Sequence, residues 1–174
     1  MDDATALSLD SIWQRDSSLT LTAEALRGIS DGDVEQAVFD YASAKIGEDY
    51  RSEVAIVRLL APGVRALYAT WQVETEVRDG GFNQFFWNPS WDYAEDAAGG
   101  FEFFGLPELA GLMRDAIQAR KAQAAAMKKA AVHADSGPGV CSADLDARFN
   151  RLSASISAAR VKRIREQPEL FAGS

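Results

Sequence analysis

The stretch Glu74 to Asn88, ETEVRDGGFNQFFWN, decides how this chain folds. Its first half has the spacing of an amphipathic helix and ends in the pair Gly80-Gly81. Glycine accepts positive φ and lets another backbone approach closely. The pair therefore predicts a corner at which two helices pack onto the centre of a domain. Four aromatic residues follow within six positions: Phe82, Phe85, Phe86 and Trp87.

The residues after the corner divide into an apolar stripe and a polar set. Three aromatic side chains recur at i, i+3 and i+4, which places them on one face of a short helix: Phe82, Phe85 and Phe86. Glu76, Gln84 and Asn88 are the polar side chains that we expect to be drawn inward with them. Their expected partners are backbone groups left open at the broken corner. The alternative is a small-ligand or hydrolytic pocket that uses the same three side chains.

Helical periodicity extends along the chain on both sides of this corner, and no stretch alternates with the period of a β-strand. Capping and breaking residues divide it into predicted helices at residues 31–46, 49–60, 62–78, 82–87, 91–104, 107–133 and 143–166. The fold class expected is all-α, a single-domain bundle of about six to eight helices around the Gly-Gly corner. Residues 1–29 are expected to form a partly ordered N-terminal extension, and residues 30–174 the domain.

Several side chains have a predicted direction. Thr75 is expected to lie on the buried face of the third helix, and the pair Gly99-Gly100 to receive a close neighbouring helix. After Pro168 the chain should fold back through Leu170 and Phe171. In the last helix the apolar residues should face inward and the basic ones outward, the latter being Arg148, Arg151, Arg160, Lys162, Arg163 and Arg165.

The sequence lacks most of the residue combinations that catalysis and metal binding commonly use. His133 and Cys141 are the only histidine and the only cysteine, so an intramolecular disulfide and a Cys/His zinc site are excluded by count. No phosphate-binding glycine motif occurs. Glu74 and Glu76 are two apart, so on a helix they point to different sides. We therefore expect no catalytic residue, no metal and no cofactor, and the sequence favours a protein that is not an enzyme.

The charge is unevenly distributed along the chain. The net charge is −8, with −8 in residues 1–50, −5 in residues 51–118 and +5 in residues 119–174. One interpretation is an acidic protein whose last helices happen to be basic. The other is a bipolar molecule whose acidic face repels nucleic acid and attracts basic partners. The start of the chain is acidic and no apolar stretch approaches bilayer length, so a cytoplasmic location is expected.

The stretch Glu76 to Asn88, EVRDGGFNQFFWN, strongly resembles the signature E-V-x-N-G-G-F-x-Q-[FY]-F-x-N of the bacterial DNA-mimic protein family. Further similarity extends over roughly residues 30–171. The chain departs from the signature at Asp79, where the family has asparagine. Aspartate tolerates a left-handed backbone, whereas it cannot replace an amide as a hydrogen-bond donor. The motif residues are interpreted as mainly structural: Glu76, Asp79, Gly80, Gly81, Phe82, Gln84, Phe85, Phe86 and Asn88.

The resemblance implies a non-enzymatic acidic protein that mimics DNA and occupies a basic, DNA-binding protein surface, with no direct nucleic-acid or membrane binding. It also suggests a homodimer. Duplex DNA carries one charge per about 1.7 Å of axis, whereas a helix over 31–49 carries about one acid per 5 Å. Mimicry therefore needs acids from several helices, and those expected to contact the partner are Asp31, Asp33, Glu35, Asp40, Asp92, Glu95, Asp96 and Glu102. The remaining alternative is an immunity-type or structural interaction protein that uses the basic last helix.

Overall fold

The computed structural model describes residues 20–48, 50–129 and 143–173. In this part of the chain the secondary structure is helical, with a single isolated antiparallel bridge between Leu21 and Gly173. The α-helices are α1 (Ala23–Gly28), α2 (Val34–Ile46), α3 (Glu53–Leu59), α4 (Pro62–Trp87), α5 (Ala94–Phe103), α6 (Pro107–Lys129), α7 (Ala143–Leu152) and α8 (Ile156–Glu166). Short 3₁₀ turns occupy Tyr50–Ser52, Pro89–Tyr93, Ser153–Ser155 and Pro168–Phe171. The all-α prediction is confirmed.

The predicted corner is a kink inside α4. The helix begins at Pro62, whose fixed φ suits a first helical position, and runs regularly to Asp79. Gly80 (φ −148°, ψ 18°) and Gly81 (φ 74°, ψ −176°) then leave helical geometry, and a second helical segment continues to Trp87. The prediction of a long helix, a glycine corner and a short aromatic helix is confirmed.

Helix α4 lies between α2 and α5. Phe39 of α2 stacks on Tyr68 and Trp71 of α4. On α5, a Cβ at Gly100 would lie 2.8 Å from Thr70 and 2.9 Å from the Ala66 carbonyl oxygen. The predicted close approach of a helix at Gly99-Gly100 is thus confirmed at the second glycine. Helix α4 thus packs against α2 through Tyr68 and Trp71, and against α5 through Ala66 and Thr70.

The end of the chain folds back into the core, as predicted. Phe171 is fully buried and packs against Phe103 and Phe104. Its ring lies over Gly63 at the start of α4, where an added Cβ would be 2.7 Å from the ring atoms. The single predicted helix over 143–166 is instead two helices, α7 and α8, because a 3₁₀ turn at Ser153–Ser155 interrupts it.

The prediction that Arg160 points outward is wrong. Its side chain is buried, with 1 % of the residue exposed, and it lies on the same face of α8 as the buried Ile156 and Ile164. Its Nη1 donates to Glu74 Oε2 at 2.8 Å and to Glu35 Oε1 at 3.2 Å. A buried guanidinium requires such partners, because an unpaired charge in the interior is costly.

A second arginine of α8 ties the last helix to the first two. The Arg165 Nε donates to Asp31 Oδ1 at 2.7 Å. Its two terminal nitrogens donate to the carbonyl oxygens of Leu26 and Ile29, at the end of α1. Three of the acids in the N-terminal two thirds of the chain, Asp31, Glu35 and Glu74, are therefore paired with bases near its C-terminal end.

Thr75 is exposed, contrary to the prediction that it lies on the buried face of its helix. Towards the kink the buried face of α4 passes through Val73 and Val77 instead.

Some predictions fall outside the described residues. These are the predictions for His133, for Cys141, for the end of α6 and for the loop 134–143, apart from Ala143 at the start of α7. Within the described ranges, none of the helices combines the length and the apolar character that crossing a bilayer requires.

Replacing Arg160 by alanine should cost about 3–5 kcal/mol of unfolding free energy, because it leaves two half-buried carboxylates without their shared cation. The matched control is Lys162→Ala on the same helix, an exposed base whose loss should change stability by less than about 0.5 kcal/mol. Urea denaturation followed by circular dichroism measures both. A cost below about 1 kcal/mol for R160A would show that the cluster behaves as a surface ion pair.

Candidate functional site

The kink in α4 is completed by a carboxylate from another helix. Phe82 is the first residue after Gly81, and its backbone N–H donates to Asp146 Oδ1 of α7 at 2.8 Å. The N-terminal N–H groups of a helix lack partners within it, and an anionic acceptor there is favoured by the helix dipole. Asp146 thus caps the second segment of α4 from a distance of 64 residues in sequence.

The sequence analysis did not identify Asp146, and no local signal points to it. It lies in the first turn of α7, where an acid has an ordinary local explanation. Its carboxylate also explains why Gly81 must be glycine: an added Cβ would lie 2.7 Å from Asp146 Oδ2. The φ of +74° at Gly81 is itself a value that other residues rarely adopt.

The three polar motif residues do point inward, but the predicted backbone partners are wrong. Gln84 Nε2 and Asn88 Nδ2 each donate to Glu76 Oε2 at 2.8 Å, and the Ser90 hydroxyl donates to Glu76 Oε1 at 3.3 Å. A carboxylate has about four acceptor positions, so one half-buried glutamate before the kink satisfies three donors that follow it. A Cβ on Gly80 would meet the Gln84 side chain at 2.2 Å.

The other motif residues are placed by packing. Phe82, Phe85 and Phe86 are buried, as the stripe predicted. Phe82 also meets the edge of Phe149 from α7, with ring centroids 5.9 Å apart. Asp79 is helical and exposed. The left-handed backbone that the signature asparagine was considered for belongs to Gly81 instead.

The carboxylates near the kink are engaged with other side chains. Glu74 and Glu76 point to different sides, as predicted: the first pairs with Arg160 and Arg78, the second with the amides and hydroxyl described above. A cleft of about 360 Å³ opens beside them, lined by Glu35, Trp71, Glu74, Thr75, Arg78, Asp79, Ser157 and Arg160. Most charged groups of this cleft already pair with one another. Within the described ranges no group of three or more potential ligands is placed to hold a metal ion.

The four acids predicted for the first part of the domain lie just before α2 or within it, and they differ in their surroundings. Asp31 is exposed and pairs with Arg165, and Asp33 is exposed and accepts from the Ser30 hydroxyl at 2.6 Å. Glu35 is held by Arg160 and by the Ser157 hydroxyl. Asp40 is half-buried and accepts from Gln36 Nε2 at 2.7 Å. Burial raises the pKa of Asp40 above its ordinary value, and the hydrogen bond from Gln36 opposes that shift only in part.

The four acids predicted around α5 form a more exposed group. Glu95 pairs with Lys121 at 2.9 Å, and Glu102 pairs with Arg114; all four side chains are at least half exposed. The exposed Asp92 carboxylate forms no ion pair among the described residues, but its charge contributes to raising the pKa of the nearby Arg58. Asp96 is more enclosed and accepts from both Nε and Nη2 of Arg58, at 2.9 and 2.8 Å. This hydrogen bond is the main reason why the pKa of Arg58 lies above its ordinary value.

Tyr68 of α4 contacts both regions that carry these acids, because its ring stacks on Phe39 of α2 and meets the edge of Tyr93, which directly precedes α5. Between α3 and the 3₁₀ turn that precedes α5, a further acid is enclosed: Glu53 Oε1 accepts from the Tyr68 hydroxyl at 3.0 Å and from the Tyr93 hydroxyl at 2.9 Å. Burial, and then the charge of Glu53, raise the pKa of Tyr93 far above its ordinary value. Tyr93 therefore remains a hydrogen-bond donor at any physiological pH.

Fold and site together define a protein whose described part is all-helical, built on a Gly-Gly kink, with exposed acids at the start of α2 and around α5. The chain belongs to the DMP19-like protein family, whose model matches residues 58–167, more than half of its length. This confirms the resemblance read from the motif. Family membership suggests a DNA mimic, and therefore a protein that binds a DNA-binding protein. No curated protein and no solved structure matches the chain when compared with it.

Gly81→Ala should destabilise the fold by about 2–4 kcal/mol, because the new side chain requires a strained backbone and displaces the Asp146 carboxylate. The matched control is Gly99→Ala on α5, where an added Cβ meets nothing within 4 Å. There the change should stabilise the helix by about 0.5–1 kcal/mol. Thermal and urea unfolding of both variants measure the difference. Equal effects of the two substitutions would contradict the role given to the kink.

Proposed function

We propose that this protein is a non-enzymatic acidic binding protein that occupies the DNA-binding surface of a basic partner, with the acids around α5 as its main contact. The observation that carries the proposal is the family match, which suggests DNA mimicry. The net charge of −8 agrees with it, since a strongly acidic surface attracts basic partners over several ångströms and repels nucleic acid.

The acids around α5 can exchange the cations they now pair with for cations of a partner. Glu95 and Glu102 pair with exposed bases, and such surface pairs contribute only about 0–1 kcal/mol. A partner's arginine or lysine can therefore replace Lys121 or Arg114 at little cost. Asp92 has no ion pair to exchange and interacts only at longer range with Arg58. Asp96 is the fixed member of this group, because Arg58 holds it with two hydrogen bonds.

The acids on α2 are proposed as a secondary contact. Glu35 is enclosed with Arg160, and Asp31 is tied to Arg165 together with two backbone carbonyls. Removing these acids from their internal partners would leave arginines of α8 unpaired. The same contacts weigh against the alternative of a basic binding face on α8, since two of its arginines already hold the protein together.

A DNA mimic and duplex DNA compete for the same surface of a partner. Displacement of the partner by DNA is therefore the decisive observation. Immobilised protein should capture DNA-binding proteins from a bacterial lysate at low salt, and excess duplex DNA should release them at constant ionic strength. Capture should weaken steeply between about 0.05 and 0.3 M salt, because exposed charges are screened over that range. Captured proteins that duplex DNA does not displace, or no capture at low salt, would contradict the proposal.

Neutralising the exposed acids around α5 should raise the Kd for a purified partner by roughly 30-fold, which corresponds to about 2 kcal/mol for three surface contacts. The same change on α2 should raise it by less than about threefold. Three triple variants remove the same charge: D92N/E95Q/E102Q, D31N/D33N/D40N, and the control E24Q/D144N/E166Q.

Isothermal titration calorimetry at one fixed salt concentration compares the three variants. Because all of them lose three negative charges, a general effect of net charge would weaken all three equally. That outcome would contradict a defined contact face around α5.

A further inference from the structure

Two exposed tryptophans lie beside the α5 acids, Trp87 at the end of α4 and Trp91 within the following 3₁₀ turn Pro89–Tyr93. Trp87 is 73 % exposed and Trp91 is 42 % exposed. Leu59 is the remaining large apolar side chain exposed in the described ranges. Single exposed apolar residues are ordinary, and Trp91 also packs its ring against that of the buried Phe86, with ring centroids 6.4 Å apart. Even so, both indoles leave much of their surface exposed within five positions of one another. Tryptophan is also among the residues that contribute most at protein interfaces.

The turn that carries these indoles is held in place. The Asn88 carbonyl accepts from the Trp91 N–H at 3.1 Å, and the side chains of Asn88 and Ser90 donate to Glu76. Arg58 Nη2 donates to the Asp92 carbonyl at 3.2 Å. The exposed indoles are thus presented on a fixed backbone, which lowers the entropy cost of using them for binding.

The surroundings of these indoles are anionic. Asp92 follows Trp91 directly, with an exposed carboxylate that forms no ion pair within the described ranges, and the exposed Glu95 lies one helical turn further on. Elsewhere in the described structure, cations already lie over aromatic rings: Lys45 over Tyr41, Arg160 over Trp71 and Arg163 over Phe103. No described cation is found over Trp87 or Trp91.

We propose that the patch formed by Trp87, Trp91 and Asp92 receives arginine side chains of the basic partner, with the guanidinium planes stacked on the indoles and paired with the carboxylate. The inference rests on the proposed function, whose partner it specifies as arginine-bearing. Arginine fits better than lysine because its planar, weakly hydrated guanidinium stacks on an aromatic face and still donates to a carboxylate. An anionic membrane or a second copy of this acidic chain would bring like charges together.

The patch changes the expected character of binding. Carboxylates alone give an attraction that salt screens. Stacking acts at contact distance and buries apolar area, so it persists when the long-range attraction is screened. Binding through this patch should therefore retain a salt-resistant component that a surface of carboxylates alone would lack.

The test is a titration of the ¹⁵N-labelled protein with two synthetic nonapeptides of equal charge, one rich in arginine and one rich in lysine. Trp87→Phe and Trp91→Phe assign the indole N–H signals among the four tryptophans of the chain. The signals of both exposed indoles should shift with the arginine peptide and clearly less with the lysine peptide. The signal of Trp71, already beneath Arg160, should not move. Equal shifts with both peptides, or none, would overturn the inference.

Substitutions separate stacking from simple apolar contact. Trp87→Leu keeps an apolar side chain but removes the ring, so it should weaken binding of the arginine peptide about fivefold. Trp87→Phe should retain most of the affinity. Leu59→Ala, which removes another exposed apolar side chain near Arg58, is the matched control and should leave it unchanged. If the Trp87→Leu variant bound the arginine peptide as tightly as the wild-type protein does, that result would contradict the stacking.

Two further outcomes keep this inference distinct from the proposed function. If D92N/E95Q/E102Q loses the captured partner while Trp87→Leu and Trp87→Ala retain it at all salt concentrations, the proposed function stands and the inference fails. If no DNA-binding partner is found, the proposed function fails, and the peptide titration still decides whether the patch binds arginine. Sedimentation of wild-type and W87L protein completes the set: a change in oligomeric state would assign the patch to self-association and overturn the inference.

Discussion

The positive φ of Gly81 is the constraint on which the rest of the structure depends. Because the backbone leaves helical geometry there, the N–H of Phe82 has no partner within the helix. It donates instead to the Asp146 carboxylate of α7. The same break directs the aromatic stripe after the kink into the core and lets Gln84 and Asn88 reach back to Glu76. The segment that follows the break ends at Trp87, where Trp87 and Trp91 come to the surface. One glycine thus connects the core, the motif and the surface next to α5.

Ion pairs within the molecule account for much of the uneven distribution of charge along the chain. Arginines of α8 are matched to carboxylates of α2 and α4, and Arg148 of α7 pairs with Asp115 of α6. A run of bases in sequence therefore does not correspond to a basic surface, nor a run of acids to an acidic one. Among the acids predicted for the partner contact, three beside α5 are exposed, and two at the start of α2 are exposed: Asp92, Glu95 and Glu102, and Asp31 and Asp33.

The sequence was sufficient for features that depend on local spacing. The helices, the corner, the burial of Phe82, Phe85 and Phe86 and the return of Phe171 all follow from periodicity and from glycine and proline positions. Arg160 was misjudged because its charge was given more weight than its spacing: it stands midway between the buried Ile156 and Ile164 at intervals of four. Asp146 could not have been found, because its partner is 64 residues away. The relative position of the two acidic groups depends likewise on how α4 packs.

The contacts of Arg165 and Arg160 also bear on how the chain acquires its structure during synthesis. The first helices emerge from the ribosome carrying Asp31, Glu35 and the open carbonyls of Leu26 and Ile29, whose partners lie more than 120 residues further along the chain. Contacts so distant in sequence form slowly, because a long loop must close before they contribute. The N-terminal helices consequently remain unfinished until α8 is made, and folding is completed only after most of the chain has been translated. In this protein the last helix acts as the closing element of the whole domain.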